Sequence, residues 1–273
     1  RNKPNFTYQD NSRFVQMTFI NHSTFYIQTP DLKVLTDPVF SERTSPVDWI
    51  GPKRVHSPGA RIDSFPKVDI VIISHNHYDH LDEKSLIDLE RLYHPLFLCP
   101  LGDKKLLKEI GLTNIQEMDW WNTITVNNSK ITFTPTHHWS RRGLFDTNKS
   151  LWGSFVLETT QKKIYFAGDT GYSSYFKEIY SRFGAMDISL LPIGAYAPRW
   201  FMQDMHMDPQ EAIWAHHDLM SAQSIATHFG TFQLTDEARD EPDYKLNMYL
   251  KSTKELHNKN FHVMEPGETR KFY

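Results

Sequence analysis

Ser74-His75-Asn76-His77-Tyr78-Asp79-His80-Leu81 follows directly on Asp69-Ile70-Val71-Ile72-Ile73. Read together, the two stretches decide the fold. The apolar run has the length and β-branched character of a buried strand. Three His and one Asp then fall within six residues. Successive side chains of an extended segment point to opposite sides, so His75 and His77 share a face. Asp79 and His80 come after the strand gives out, where a tight turn can aim both at one point. Imidazoles and a carboxylate converging at a strand end are first-row metal ligands, with Zn2+ the default for such an N/O set. The plain alternative is a polar surface loop. At the His and Asp frequencies of this chain, chance gives H-x-H-x-D-H in roughly one sequence in 400, which favours the metal.

Four such side chains do not fit comfortably around one tetrahedral ion. Placing His75 and His77 on one ion and Asp79 and His80 on a neighbour asks for more ligands downstream. Two-metal hydrolytic sites hold their ions about 3.5–4 Å apart over a shared water or hydroxide. A bridging carboxylate and at least two further His are therefore expected.

The 273 residues suffice for one large domain or two small ones with a substantial core. The chain is 39% hydrophobic and 23% charged, as ordinary globular proteins are. Its net charge of −3 is not that of a general nucleic-acid binder. Cys99 is the only cysteine, so no intramolecular disulfide forms and the redox compartment is not betrayed. No apolar run approaches the roughly 18 residues of a membrane span. A soluble or peripherally membrane-associated protein is expected, of unassigned compartment. The sequence begins at Arg1 without Met, so an upstream signal or anchor would be invisible.

In chain order, 1–13 reads as a polar N-terminal arm. Short runs at 14–20, 24–28 and 33–36 read as an antiparallel meander. His22 falls in the first turn and is expected to cap backbone groups; Asp37-Pro38 closes the third strand. Residues 41–66 carry six Pro or Gly and no periodicity, a long loop with Trp49-Ile50 as a candidate surface anchor. Helices are expected over 82–93 and over 103–110, the second closed by Gly111. Strands are expected at 96–99, 115–118, 123–126 and 131–135, the last two joined through Asn127-Asn128. A second half restarts the pattern: a hairpin at 151–159 and 163–167, a helix over 173–183, and strands at 188–192 and 224–227. Asp208-Pro209 opens another helix, and 244–257 is a last one. Residues 14–273 thus read as one domain of two similar halves, 14–119 and 120–273, with two sheets sandwiched between helices.

Three strand ends offer the missing ligands. One runs into His137-His138-Trp139, one into Gly168-Asp169-Thr170-Gly171, and one into His228-Phe229-Gly230. Flanking glycines let the backbone at Asp169 approach a ligand closely. Each alone is more often a turn residue; together they supply the demanded set.

With these residues in order, the chain resembles the metallo-β-lactamase superfamily. It is more similar still to the N-acylphosphatidylethanolamine-hydrolysing phospholipase D family. The matching stretches include Gly51 through Arg54, Ser74 through Leu81, Asp119-Trp120-Trp121, Pro135 through Trp139 and Phe166 through Tyr172. Gly194-Ala195-Tyr196, Pro198 through Met202, His206 through Pro209 and His228 through Phe232 match as well. The resemblance runs from about Phe14 onward and implies an α/β (α+β) four-layer αββα sandwich. It places His75, His77 and His138 on one zinc and Asp79, His80 and His228 on another, with Asp169 bridging: two Zn2+ per chain. The family's P-x-x-H-W pattern selects His138 over His137. Ala197 stands where the family carries an acidic residue, which bears on headgroup specificity.

The resemblance further implies a zinc-dependent phosphodiesterase of phospholipase D type. A hydroxide bridging the metals would attack phosphorus, Asp79 and Asp169 serving as catalytic ligands. N-acylphosphatidylethanolamine or a similar phospholipid would give N-acylethanolamine and phosphatidic acid. His206 matches a family site position and is expected in substrate contact or proton transfer; its alternative is a helix-entry polar residue. Tyr196 and Arg199 are candidate phosphate contacts, although an Arg pairing a carboxylate structurally is as common. Trp200, Phe201 and Met202, with Met205 and Met207, suit an acyl-chain groove and a peripheral membrane contact. A core loop or a homodimer interface are the other uses of such a cluster. The competing functions are a superfamily hydrolase of a soluble substrate, such as a lactonase or another phosphodiesterase, and a binding protein that kept the fold without catalysis.

Overall fold

The computed structural model describes residues 2–9, 11, 13–252 and 260–273. The opening meander is β1 (Val15–Asn21), β2 (Thr24–Gln28) and β3 (Lys33–Thr36), each antiparallel to the next. β4 (Ile70–Ile72), β5 (Leu96–Pro100) and β6 (Ile115–Met118) then continue the sheet in parallel. The crossovers are α1 (Glu83–Tyr93) and α2 (Lys104–Glu109). The second sheet repeats the plan. β7 (Thr123–Val126), β8 (Ser129–Thr134), β9 (Ser154–Glu158) and β10 (Lys163–Phe166) are antiparallel. β11 (Ile188–Pro192), β12 (Gln223–Thr227) and β13 (Phe261–His262) follow in parallel. Their connections hold α3 (Tyr175–Phe183), α4 (Arg199–Met202), α5 (Pro209–Asp218) and α6 (Glu241–Ser252). A last strand, β14 (Thr269–Phe272), returns to pair antiparallel with β1.

Side-chain alternation explains the layering. Ile70 and Ile72 point between the sheets, into a core shared with Phe25, Phe133 and Phe166. Val71 and Ile73 point the other way, onto Leu86 and Leu89 of α1. In the second sheet Ile164 and Phe166 face inward, while Tyr165 and Ala167 meet Phe176 and Ile179 of α3 and Ala212 of α5. Strands covered on both faces need apolar residues at every position, hence the unbroken runs in the sequence. The result is helix, sheet, sheet, helix: the metallo-β-lactamase fold.

Four features depart from expectation. The strands β13 and β14 and the single-turn α4 were not foreseen; in β14 only Phe272 is buried, so no apolar run announces it. β14 also crosses the proposed boundary between halves, completing the first sheet from the far end of the sequence. The last helix starts earlier, at Glu241, and 253–257 of its expected range lie outside the described residues. The N-terminal arm is docked: Phe6 packs on Tyr26 and Phe65 at 5.4 and 5.3 Å, and Gln16 Nε2 donates to the Asn5 carbonyl.

The long loop after β3 is pinned at its neck, where Arg54 and Val55 donate backbone N–H groups to Glu42 and Thr231. The Trp49-Ile50 tip is left exposed. Among the described residues no helix is long and apolar enough to cross a membrane.

Candidate metal centre

The site forms where β3, β4, β8, β10 and β12 end. Past β4 the chain turns tightly, His80 and Leu81 donating backbone N–H groups to the His77 carbonyl. That turn brings His75 Nε2 within 2.9 Å of His77 Nδ1, and His138, beyond β8, adds its Nε2 at 3.3 Å. His137, next to it, is turned to solvent, its backbone pairing with Gly171. On the other side Asp79 Oδ2 lies 3.4 Å from His80 Nε2 and 3.2 Å from His228 Nε2.

Asp169 stands between the two groups. Its Oδ2 is 3.0 Å from His228 Nε2, 3.1 Å from His80 Nε2, 3.8 Å from His75 Nε2 and 3.9 Å from both His138 Nε2 and His206 Nδ1. Gly168 makes this placement possible. Its φ is +59°, and a Cβ there would come 2.6 Å from the Ser74 side chain, because the ends of β10 and β4 meet across the sandwich. Gly194 does the same for His228, whose carbonyl oxygen would lie 2.2 Å from an added Cβ.

Electrostatics sort the imidazoles. Burial holds His75 and His138 well below the usual histidine range and lowers His77 and His206 to about 4. Neutral imidazole is the form that binds metal. Burial also opposes charge on His80 and His228, but Asp169 outweighs it, keeping His80 well above its ordinary value and His228 up at about 9. Both carboxylates stay far below the ordinary range despite burial, Asp79 held there first by His80 and Asp169 first by His228. The paired carboxylates demand positive charge, which a bound cation supplies without protons.

The donor set fits a metal on its own geometry. His75, His77 and His138 form one group and Asp79, His80 and His228, with His22, another, the ligand atoms within each lying inside 4.8 Å of one another. Lone-pair nitrogens 2.9–3.3 Å apart have the spacing of donors around a shared ion. Asp169 Oδ1 is buried with no hydrogen-bond partner among the described residues.

Two contributors were not singled out as site residues from the sequence. Asp37, read only as the end of β3, accepts from His80 Nδ1 at 2.6 Å and from the Ser74 backbone and hydroxyl. Its signal was there: β3 is parallel to β4 and ends beside it. His22, expected to cap backbone groups, instead donates its own N–H to Thr231 Oγ1, and its side chain enters the cluster, Nε2 lying 3.0 Å from Asp79 Oδ2.

The candidate substrate residues divide. His206 is buried with Nδ1 unpartnered and facing the cluster. Arg199 takes the structural alternative: its guanidinium grips both oxygens of Glu211 and the His206 carbonyl, leaving it as the support of the His206 loop. Tyr196 donates its hydroxyl to Glu241. Met207 is core, whereas Trp200 and Phe201 are 79% and 57% exposed and Met202 and Met205 are half-buried.

Known proteins agree with this architecture. Residues 33–229 match the β-lactamase superfamily domain. An uncharacterized protein of Mycobacterium tuberculosis is 39% identical over 248 residues, 89% of this chain and 66% of its own length. The N-acyl-phosphatidylethanolamine-hydrolyzing phospholipase D 1 of Caenorhabditis elegans is 34% identical over 263 residues, 92% of this chain and 74% of its own. Igni18, a metallo hydrolase from Ignicoccus hospitalis, superposes with a TM-score of 0.70 at 23% identity, over 95% of this chain and 99% of that one. The match to the mycobacterial relatives spans 66% of their length. The shared domain and the worm relative's coverage carry the same assignment: the chain belongs to the metallo-β-lactamase superfamily and, within it, to the family of N-acylphosphatidylethanolamine-hydrolysing phospholipases D.

Proposed function

We propose that this member of a metal-dependent hydrolase family is a dizinc phosphodiesterase of phospholipase D type. His75, His77 and His138 would hold one zinc and Asp79, His80 and His228 the other, with Asp169 bridging. The substrate would be N-acylphosphatidylethanolamine or a close phospholipid, cleaved to N-acylethanolamine and phosphatidic acid. The observation that supports the reading most is Asp169 Oδ2, one buried oxygen within 3.9 Å of five imidazoles drawn from four chain segments. Two divalent cations at such a centre lower the pKa of a shared water and neutralise charge on phosphoryl oxygens.

The chain's own groups supply the rest. Asp37 orients His80 through Nδ1, and the Met205 carbonyl orients His138 in the same way. Such outer partners fix the tautomer and aim the opposite nitrogen inward. His206 presents Nδ1 to the centre from the α4–α5 connection, placed for a hydrogen bond to a phosphoryl or leaving oxygen. Three apolar pairs are exposed: Trp49-Ile50, Leu144-Phe145 and Trp200-Phe201. The Leu144 loop is tied to the metal-binding turn through Arg142, which donates to the Asn76 and Leu81 carbonyls. The pairs suit a surface that rests on lipid while the headgroup reaches the centre.

Purified protein incubated with vesicles containing N-acylphosphatidylethanolamine should release N-acylethanolamine, stop on chelation and recover with added zinc. Turnover of a lactone or a water-soluble phosphodiester with none of the lipid would replace this reading by a soluble-substrate hydrolase.

A further inference from the structure

His22 occupies a place that a turn residue does not need. Its backbone, at φ +48°, joins the two sheets: the N–H donates to Thr231 Oγ1 and the carbonyl accepts from the His228 N–H. The side chain then turns inward, 2% exposed, its ring 4.1 Å from that of His228 and 5.3 Å from Phe232. Nε2 meets Asp79 Oδ2 at 3.0 Å.

One observation separates His22 from His80 and His228 beside it, and a second bears on its tautomer. His80 and His228 each reach both carboxylates within 4 Å, whereas His22 reaches Asp79 and is not among the imidazoles that reach Asp169. His80, His138 and His75 have a partner for the nitrogen that faces away from the centre: Asp37, the Met205 carbonyl and the Ser74 hydroxyl. His22 Nδ1 has none among the described residues. A neutral imidazole carries one N–H, and burying it unpaired is costly. With its proton on Nε2 the ring donates to the Asp79 carboxylate at 3.0 Å. His228 Nδ1 and His77 Nε2 share the missing partner, so reach makes the distinction: His228 faces both carboxylates and His77 faces His75 and His138.

We infer that His22 is a positioning residue for the second metal: its Nε2–H holds Asp79 in the rotamer that presents Oδ2 to the centre. The inference rests on the two-metal reading above. Without the bond Asp79, which is partly exposed, can swing away and the site loses its carboxylate. Losing an outer partner of a metal ligand typically weakens metal affinity about 10–100-fold.

The test compares His22→Phe with His22→Gln in the full chain. Both place an ordinary side chain at the same positive φ, but Gln restores an N–H near Nε2 while Phe only fills the space. Co2+ titration against a competing chelator, with the visible absorption of the bound ion, reads the metal directly. Melting of chelator-treated protein reads the scaffold. Phe should weaken one of two sites about 10-fold or more, Gln should bring it back to within about 3-fold with an unchanged band, and both should melt alike. If His22→Phe does not fold, His22→Asn replaces it, its amide being too short to reach Asp79. Wild-type affinity in the Phe or Asn variant overturns the inference. So does a Gln variant as weak as Phe with an altered band, which would make His22 a direct ligand. Failure of the two-metal reading shows instead in the wild-type stoichiometry.

Discussion

At the scale of single residues the site trades stability for placement, and Asp103 shows it clearly. It is buried beside the Ser74–Leu81 turn, accepting from Asn76 Nδ2 at 2.9 Å. Burial raises its carboxyl from 3.8 to about 6. Because the folded-state value is the higher one, its contribution is full below about pH 4 and is lost as pH rises through about 6. At about 1.4 kcal/mol per pH unit, that loss is on the order of 3 kcal/mol at neutral pH. Asp103→Asn should therefore flatten the fall in stability between about pH 4 and 6 and match or exceed wild type at pH 7. Denaturant melts at several pH values check this, and an unchanged slope refutes it. Asp169→Asn makes a different point. The amide keeps the shape and removes the charge, so turnover should fall by more than the 10–100-fold expected for an outer partner, with the melting temperature little changed. Two bound metals and near-normal turnover would remove Asp169 from the bridging role.

At the scale of elements, what was legible was whatever repeats along the chain. β4 announced itself because both faces are buried, and α5 because Asp208 and Pro209 start it; the structure adds the reciprocal bonds of Asp208 and Glu211. The convergence of Ser74–Leu81, Asp169 and His228 as candidate ligands was legible because each ends a strand. The choice between His137 and His138 was not settled by alternation alone, since two adjacent residues past β8 differ only in register with β10. The backbone bridge from His137 to Gly171 fixes that register and sends His138 inward. His138→Ala should accordingly cost at least 10-fold in metal affinity and most of the activity, while His137→Ala stays near wild type. The reverse order by metal titration would shift the ligand by one residue. Arg199 was left between a phosphate contact and a carboxylate pair, because its partner Glu211 comes from the next helix, a contact no local pattern reveals.

At the scale of the whole molecule, the exposed Trp200 and Phe201 make the lipid reading testable. A fully buried large apolar side chain contributes roughly 1.5–3 kcal/mol, so two give reversible attachment. Trp200→Ala with Phe201→Ser should cut co-sedimentation with phospholipid vesicles about 10-fold or more, with the melting temperature and turnover of a soluble phosphodiester unchanged. Unaltered co-sedimentation would move the contact to the Trp49 or Leu144 loops, and a changed sedimentation coefficient would mean that a second copy covers the patch. What lay beyond the sequence at this scale was closure of the first sheet, because β14 is short, polar and remote from β1. Its pairing also orders events in time. A ribosome delivers β1 and its neighbours first, and they wait with an open, hydrogen-bond-hungry edge while everything in between is made. His22 emerges early and His228 late, yet the backbone of one is bonded to that of the other. A nascent chain thus carries the Ser74–Leu81 turn long before His228 completes the proposed centre, and the interval before β14 arrives is when a chaperone or a foreign strand would find its opening.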